Sequence, residues 1–153
     1  MIRIGLISDT HGLLRPEAVS FLAGSDLILH GGDIGGPQIL DELRRIAPVT
    51  AVRGNNDHGD WAQAVREFER IEVGEHGIYL LHDLARLDID PQAAGVRVVV
   101  SGHSHVPSVV ERERVWFVNP GSAGPRRFKL PVAAGELCIE NARVSARTVV
   151  LIE

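Results

Sequence analysis

Residues 2–12 read IRIGLISDTHG, a strand-like apolar run that stops abruptly on Asp9, Thr10, His11 and Gly12. The chain then repeats the plan. Residues 16–23 have helical character, with Pro16 suited to a first turn, and 26–30 (DLILH) form a second apolar strand ending on Gly31-Gly32-Asp33. Beyond a Gly-rich turn, Pro37 to Ala47 carries Ile39, Leu40, Leu43 and Ile46 at helical spacing, and Pro48 stops it. Residues 49–53 (VTAVR) give a third strand, closing on Gly54-Asn55-Asn56-Asp57. Strand–helix alternation of this kind predicts parallel pairing, with helices packed on the sheet.

The second half changes character. Residues 68–73 and 76–82 predict a hairpin around Gly74, a short helical stretch is expected near Asp90-Pro91, and 97–101 (RVVVS) reads as a buried strand. Strands follow at 108–112, 115–119, 132–139 and 143–152, joined by turns. This half is expected to be mostly antiparallel, which makes the whole a mixed α/β domain with two sheets. Neither repeats nor low-complexity tracts interrupt it, and residues 1–153 are read as one domain.

Composition agrees and narrows the classes of function. A 16.6 kDa chain exposes about 24,000 Å² unfolded and about 7,600 Å² folded, which leaves ample burial for a core without staples. With 44% apolar and 24% charged residues, wholesale disorder is excluded. The net charge of −4, with Lys129 the only lysine, argues against nucleic acid or a membrane surface as partner. A single cysteine, Cys138, allows no internal disulfide and is compatible with a reducing cytosol. The N-terminal run lacks the features of a signal peptide, and no run approaches membrane-spanning length. A soluble, cytoplasmic protein is expected.

The chemistry gathers where strands end. Asp9 and His11 follow the first strand, Asp33 the second, Asn55 the third, His82 the run GIYLL, and His103 and His105 the run RVVVS. Ligand sites of α/β sheets lie just beyond such carboxyl ends. Two carboxylates, several imidazoles and an amide oxygen form a hard-to-borderline donor set suited to Mn²⁺, Fe, Zn²⁺ or Ni²⁺. In extended chain, residues two apart face the same way, so Asp9/His11 and His103/His105 can converge on one ion or straddle two. Seven donors exceed what one four-coordinate ion needs, which favours a pair of ions sharing Asp33. Two M²⁺ ions, less Asp9, Asp33 and a bridging hydroxide, retain a charge of about +1, suited to an anionic substrate. That is equipment for in-line displacement at phosphorus.

Asp9-x-His11, Gly32-Asp33, Gly54-Asn55, His82, Gly102-His103-x-His105 and Asn119-Pro120-Gly121-Ser122 stand in an order that resembles calcineurin-like metallophosphoesterases. Spacing and length are similar to the small single-domain phosphodiesterase branch, over roughly residues 1–125. The resemblance implies a compact four-layer α/β/β/α sandwich of two mixed sheets with flanking helices. It also implies a two-metal site that hydrolyses a small phosphate ester with a metal-bridging hydroxide. Carried over, one metal falls to Asp9, His11, Asp33 and His105 and the other to Asp33, Asn55, His82 and His103, with Mn²⁺ the family's usual ion. A phosphomonoesterase shares all of this chemistry. A non-catalytic scaffold, resembling the retromer subunit of the same superfamily, is the rival class.

One position departs from the pattern. Larger members carry histidine directly after the ligand asparagine, and small members often have cysteine; this chain has Asn56. Asparagine donates a hydrogen bond but supplies no proton, so Asn56, if catalytic, predicts dependence on good leaving groups.

Other residues have plainer readings. Asp33 and Asn55, each alone, would be turn residues, and His82 alone a core histidine. His30 is expected to pack beside the site, His58 and His76 to be exposed, and Asp57 to orient its loop by accepting backbone N–H groups. Asn119–Ser122 is expected beneath the site. Arg126 and Arg127, with Lys129, form a basic cluster taken as a candidate contact for substrate phosphate, against the reading of a solvated loop. Trp61 and Trp116 read as packing residues and Cys138 as inert.

Overall fold

Alternation in the first strand, β1 (Ile2–Ile7), sends Ile4 and Leu6 to one face of a sheet and Ile7 to the other. That split organises the molecule, which a computed structural model describes over residues 1–153. β1 pairs in parallel with β2 (Leu27–His30), and β2 with β3 (Val49–Ala51). On its other edge β1 meets β9 (Val132–Glu140) antiparallel, and β9 meets β10 (Arg143–Ile152), giving the order β10-β9-β1-β2-β3. The second sheet runs β4-β5-β6-β8-β7, from β4 (Phe68–Val73), β5 (His76–Leu81), β6 (Val96–Val100), β7 (Ser108–Arg112) and β8 (Val115–Asn119).

The sheets bury their facing sides together. Ile4, Leu6, Leu29, Ile78, Leu80, Val98, Val100, Val118 and Leu137 fill the space between them. On the outer face of the first sheet, α1 (Pro16–Leu22) and α2 (Pro37–Arg44) pack Ala18, Leu22, Ile39, Leu40 and Leu43 against Ile7 and Ile28. On the outer face of the second, Leu81, Val96, Val99 and Val115 are covered by Leu87, Ile89 and Ala94 beside a 3-10 turn (Leu84–Arg86). The sandwich is thus the expected one, with a thin fourth layer. Its exposed area of 7567 Å² agrees with the expectation from mass.

Differences from the sequence reading have local causes. α2 ends at Arg44, three residues early, because Arg45 and Ile46 donate three residues back, to Glu42 O (3.2 Å) and Leu43 O (2.9 Å), and Pro48 disfavours a helical residue before it. The helix expected near Asp90-Pro91 is only a turn, closed by Ala94 N–H to Asp90 O (2.9 Å). A short helix, α3 (Asp60–Gln63), was not foreseen. The second half has antiparallel hairpins at β4–β5, β7–β8 and β9–β10, but its central strand β6 is parallel to both neighbours. Residues 82–95 supply the crossover that such pairing requires. A bulge in β6 opposite Gly77–Ile78 shifts the alternation, so Val96 and Val99 share the outer face while Val98 and Val100 face inward. No helix is long and apolar enough to cross a membrane.

Candidate metal centre

The strand ends meet at one edge of the sandwich. The loops after β1 and β2 are zipped by Asp9 N–H to Gly32 O, His11 N–H to Asp33 O and Gly12 N–H to Ile34 O, each 2.9 Å. Gly102 N–H bonds His82 O (2.9 Å), tying the loop after β6 to the end of β5. Approach is close enough to require glycine at two places. A Cβ on Gly54 would overlap the backbone and carboxylate of Asp33, and one on Gly35, at φ +97°, would overlap the backbone of His11 and Gly12.

Seven side chains singled out from the sequence come together here. Asp9, His11 and His105 form one group and Asp9, Asp33 and His82 another; within each, the donor atoms lie within 4.8 Å of one another. His103 Nδ1 joins the second group at 3.3 Å from His82 Nε2, and Asn55 Oδ1 is 3.2 Å from that same Nδ1. Asp33 Oδ2 stands between the groups, 3.7 Å from His11 Nε2 and 3.4 Å from His82 Nε2. Asp9 Oδ1 is ringed by His105 Nε2 at 3.3 Å and by His11 and His82 Nε2 at 3.9 Å.

The donor set fits divalent cations. Asp9 Oδ1 and His11 Nε2 are buried and have no hydrogen-bond partner, a condition that folded proteins avoid unless something else satisfies such atoms. A cation held by these residues would do so, and mixed oxygen and imidazole donors suit a borderline ion.

The surrounding hydrogen bonds aim these atoms. Asp9 Oδ2 accepts from Ser8 Oγ (2.7 Å) and His103 N–H (3.1 Å), leaving Oδ1 to face the centre. His82 Nδ1 donates to Gly31 O (2.7 Å), so the lone pair of the neutral ring is on Nε2. Asn56 holds Asp33 from two sides, its backbone N–H on Oδ1 (2.9 Å) and its amide on Oδ2 (3.0 Å). Asp57 accepts from the N–H groups of Ile34, Gly35 and Gly54, joining the loops after β2 and β3. Beneath the site, Asn119 donates to Gly102 O and Ser104 Oγ while Ser122 Oγ donates to Asp9 O.

Charge follows the same geometry. Burial pushes the Asp33 carboxyl up, but hydrogen bonds from His82 and Asn56 together outweigh it and hold the group well below the carboxylate range. Burial pushes His82 down; bonding to Asp33, the nearby Asp9 and its bond to Gly31 prevail and raise it above an ordinary histidine. His30 is fully buried, and desolvation lowers it to about 4 despite the nearby carboxylates. Its ring is therefore neutral. Nδ1 accepts from Gly32 N–H (3.0 Å), so Nε2 carries the proton and donates to Thr10 Oγ1 (3.0 Å), which donates to Ile34 O.

Arg126 Nη2 donates to Ile152 O and Glu153 O, at the carboxyl end of β10, and both Arg126 and Arg127 are exposed. His58 is exposed as expected, but His76 is not: it is 8% exposed, with Nε2 at 2.9 Å from Asn141 O in the β9–β10 turn. The sequence reading passed over Arg53 and Arg86, which line a cavity beside Asn55, His82 and His103. Arginine directly before Gly54-Asn55 was the available signal for the first; an exposed arginine after a strand gives none for the second.

Two mixed five-stranded sheets with this cluster at their carboxyl edge define the calcineurin-like class of phosphoesterase. The model of the calcineurin-like phosphoesterase superfamily domain matches residues 2–141, and the chain belongs to that superfamily. A probable metallophosphoesterase of Methanothermobacter thermautotrophicus is 41% identical over 139 residues, covering 84% of this chain and 81% of the relative. Among solved structures, Vps29 of Chaetomium thermophilum superposes with a TM-score of 0.80 at 20% identity, covering 97% of each chain. An archaeal phosphodiesterase superposes at 0.79 with 22% identity, covering 97% of this chain and all of that one. These two likenesses concern the fold.

Proposed function

We propose that this protein is a phosphodiesterase that binds two divalent metal ions, one held by Asp9, His11, Asp33 and His105 and the other by Asp33, Asn55, His82 and His103. The observation that carries the reading is Asp9 Oδ1, a bare buried carboxylate oxygen facing three imidazole nitrogens, beside a second carboxylate between the two groups. Mn²⁺ is the ion we assign, while Fe, Zn²⁺ and Ni²⁺ suit the same donors. Bound ions of this kind supply hydroxide at neutral pH and Lewis acidity toward phosphoryl oxygens.

The chain's own residues do the rest. Gly31 O fixes the His82 tautomer, and Ser8 with His103 N–H fixes the rotamer of Asp9, so the donors are oriented before any ion arrives. Asn56 spends its amide on Asp33 and has no proton to give a departing alkoxide. Esters of acidic alcohols are therefore the better substrates. The similarity to an archaeal phosphodiesterase structure supports diesters over monoesters.

The test is hydrolysis of bis(p-nitrophenyl) phosphate and p-nitrophenyl phosphate by chelator-stripped protein reloaded with Mn²⁺. Preference for the diester, lost on stripping, is expected. Preference for the monoester would make it a phosphomonoesterase, and hydrolysis of neither would favour the scaffold role that likeness to Vps29 suggests.

A further inference from the structure

A cavity of about 110 Å³ opens directly beside Asn55, His82 and His103, and its far wall carries two arginines. Arg53, just past β3, donates from Nη2 to Glu67 Oε1 (2.9 Å) and from Nη1 to Ala62 O (3.4 Å). Arg86, on the 3-10 turn after His82, donates from Nη2 to Glu67 Oε2 (3.3 Å) and lies 5.5 Å from the Phe68 ring centroid. Both oxygens of Glu67 are thus taken by arginine. The Arg53 hydrogen bond, with Arg86 adding to it, holds its carboxyl below the usual range. Asp83 is the other acid here, and its Oδ1 accepts from Ala85 N–H (3.0 Å).

The donor count decides what such a cavity recognises. Each guanidinium has five N–H groups, and the protein engages only Nη1 and Nη2 of Arg53 and Nη2 of Arg86. Nε and Nη1 of Arg86 have no acceptor in the protein, while Glu67 anchors the fork and Phe68 lies beneath it. An exposed ion pair of this kind adds little stability, whereas a braced guanidinium fork suits carboxylate or phosphate.

We propose that this cavity is a subsite for the second substituent of a phosphodiester, and that Arg86, with Arg53, selects a substituent bearing its own anionic group. The proposal rests on the phosphodiesterase reading and names its substrate class: diesters with a carboxylate or phosphate beyond the scissile phosphorus.

The test compares p-nitrophenyl phenyl phosphate with the analogues bearing a carboxylate or a phosphonate at the 3-position of the phenyl ring. All three share one leaving group. On Mn²⁺-loaded protein, kcat/KM is expected to favour at least one anionic analogue by about tenfold at low salt, and less as salt screens the exposed Arg86. Arg86→Ala should bring that ratio near one, and Arg86→Glu below one. Equal rates on all three diesters, or a ratio unmoved by both substitutions, overturns the subsite. If no diester is hydrolysed, the phosphodiesterase reading fails, and binding of phenylphosphonate and 3-carboxyphenylphosphonate to the loaded protein decides the subsite alone. Tighter binding of the carboxylated compound, abolished in Arg86→Ala, supports it; equal affinities overturn it.

Discussion

Asp9, His11, Asp33, His103 and His105 all sit at positive φ, between 46° and 72°. Left-handed backbone at a non-glycine residue costs roughly 1–2 kcal/mol, least for aspartate and histidine among large side chains. Five such residues around one point mark a place where geometry is held against local preference. On the proposed reading, Asn56 would limit turnover on poor leaving groups, because an amide supplies no proton to a departing alkoxide. Asn56→His is expected to raise kcat on a poor leaving group by about tenfold or more, with little gain on p-nitrophenyl esters. Equal rates on both would show that protonation of the leaving group is not limiting. At this scale the sequence was informative where residue type is rare and spacing is tight, as in His103-x-His105. It misplaced His76, expected to be exposed but buried with Nε2 against the carbonyl of Asn141, 65 residues away in the chain.

Elements matter here through the loops that leave them. Three loops, after β1, β2 and β3, are locked by backbone pairs and by Asp57, whose carboxylate serves the N–H groups of Ile34, Gly35 and Gly54. Asp57→Ala leaves three donors without an acceptor, and the buried ones cost about 1–3 kcal/mol each. Denaturant unfolding should show a loss of about 3 kcal/mol or more, with weaker Mn²⁺ binding because Asp33 lies within this clamp. A loss under about 1 kcal/mol would mean that water replaces the carboxylate without penalty. The strand–helix order of the first half was legible from apolar periodicity and proline punctuation. The parallel placement of β6 was not, because the direction of pairing is set by the neighbouring strands β5 and β8 within the sheet rather than by any local pattern.

For the whole molecule, buried histidines set the response to pH. His30, lowered to about 4, binds its proton more readily unfolded, so its share of stability is complete above about pH 6.5 and is lost as pH falls toward 4. The shift corresponds to about 3 kcal/mol. His82 is raised, so its contribution is present below its unfolded pKa and is lost as pH rises through its folded value. Metal-free protein is therefore expected to be most stable near pH 6–7, as read by chemical denaturation across pH 4–9. Metal requires neutral imidazoles, so loading should remove the decline above that maximum. At a hundredfold excess over Kd it should add about 3 kcal/mol per ion. A metal-free profile that rises steadily to pH 9 would contradict the assigned His82–Asp33 pairing.

The most direct measurement is calorimetric titration of chelator-stripped protein with Mn²⁺ near pH 7.5. Two ions per chain are expected, with Asp33→Asn weakening both sites by about a hundredfold or more because Asp33 serves both. One ion or none per chain, or two ions bound unchanged by Asp33→Asn, would contradict the paired centre.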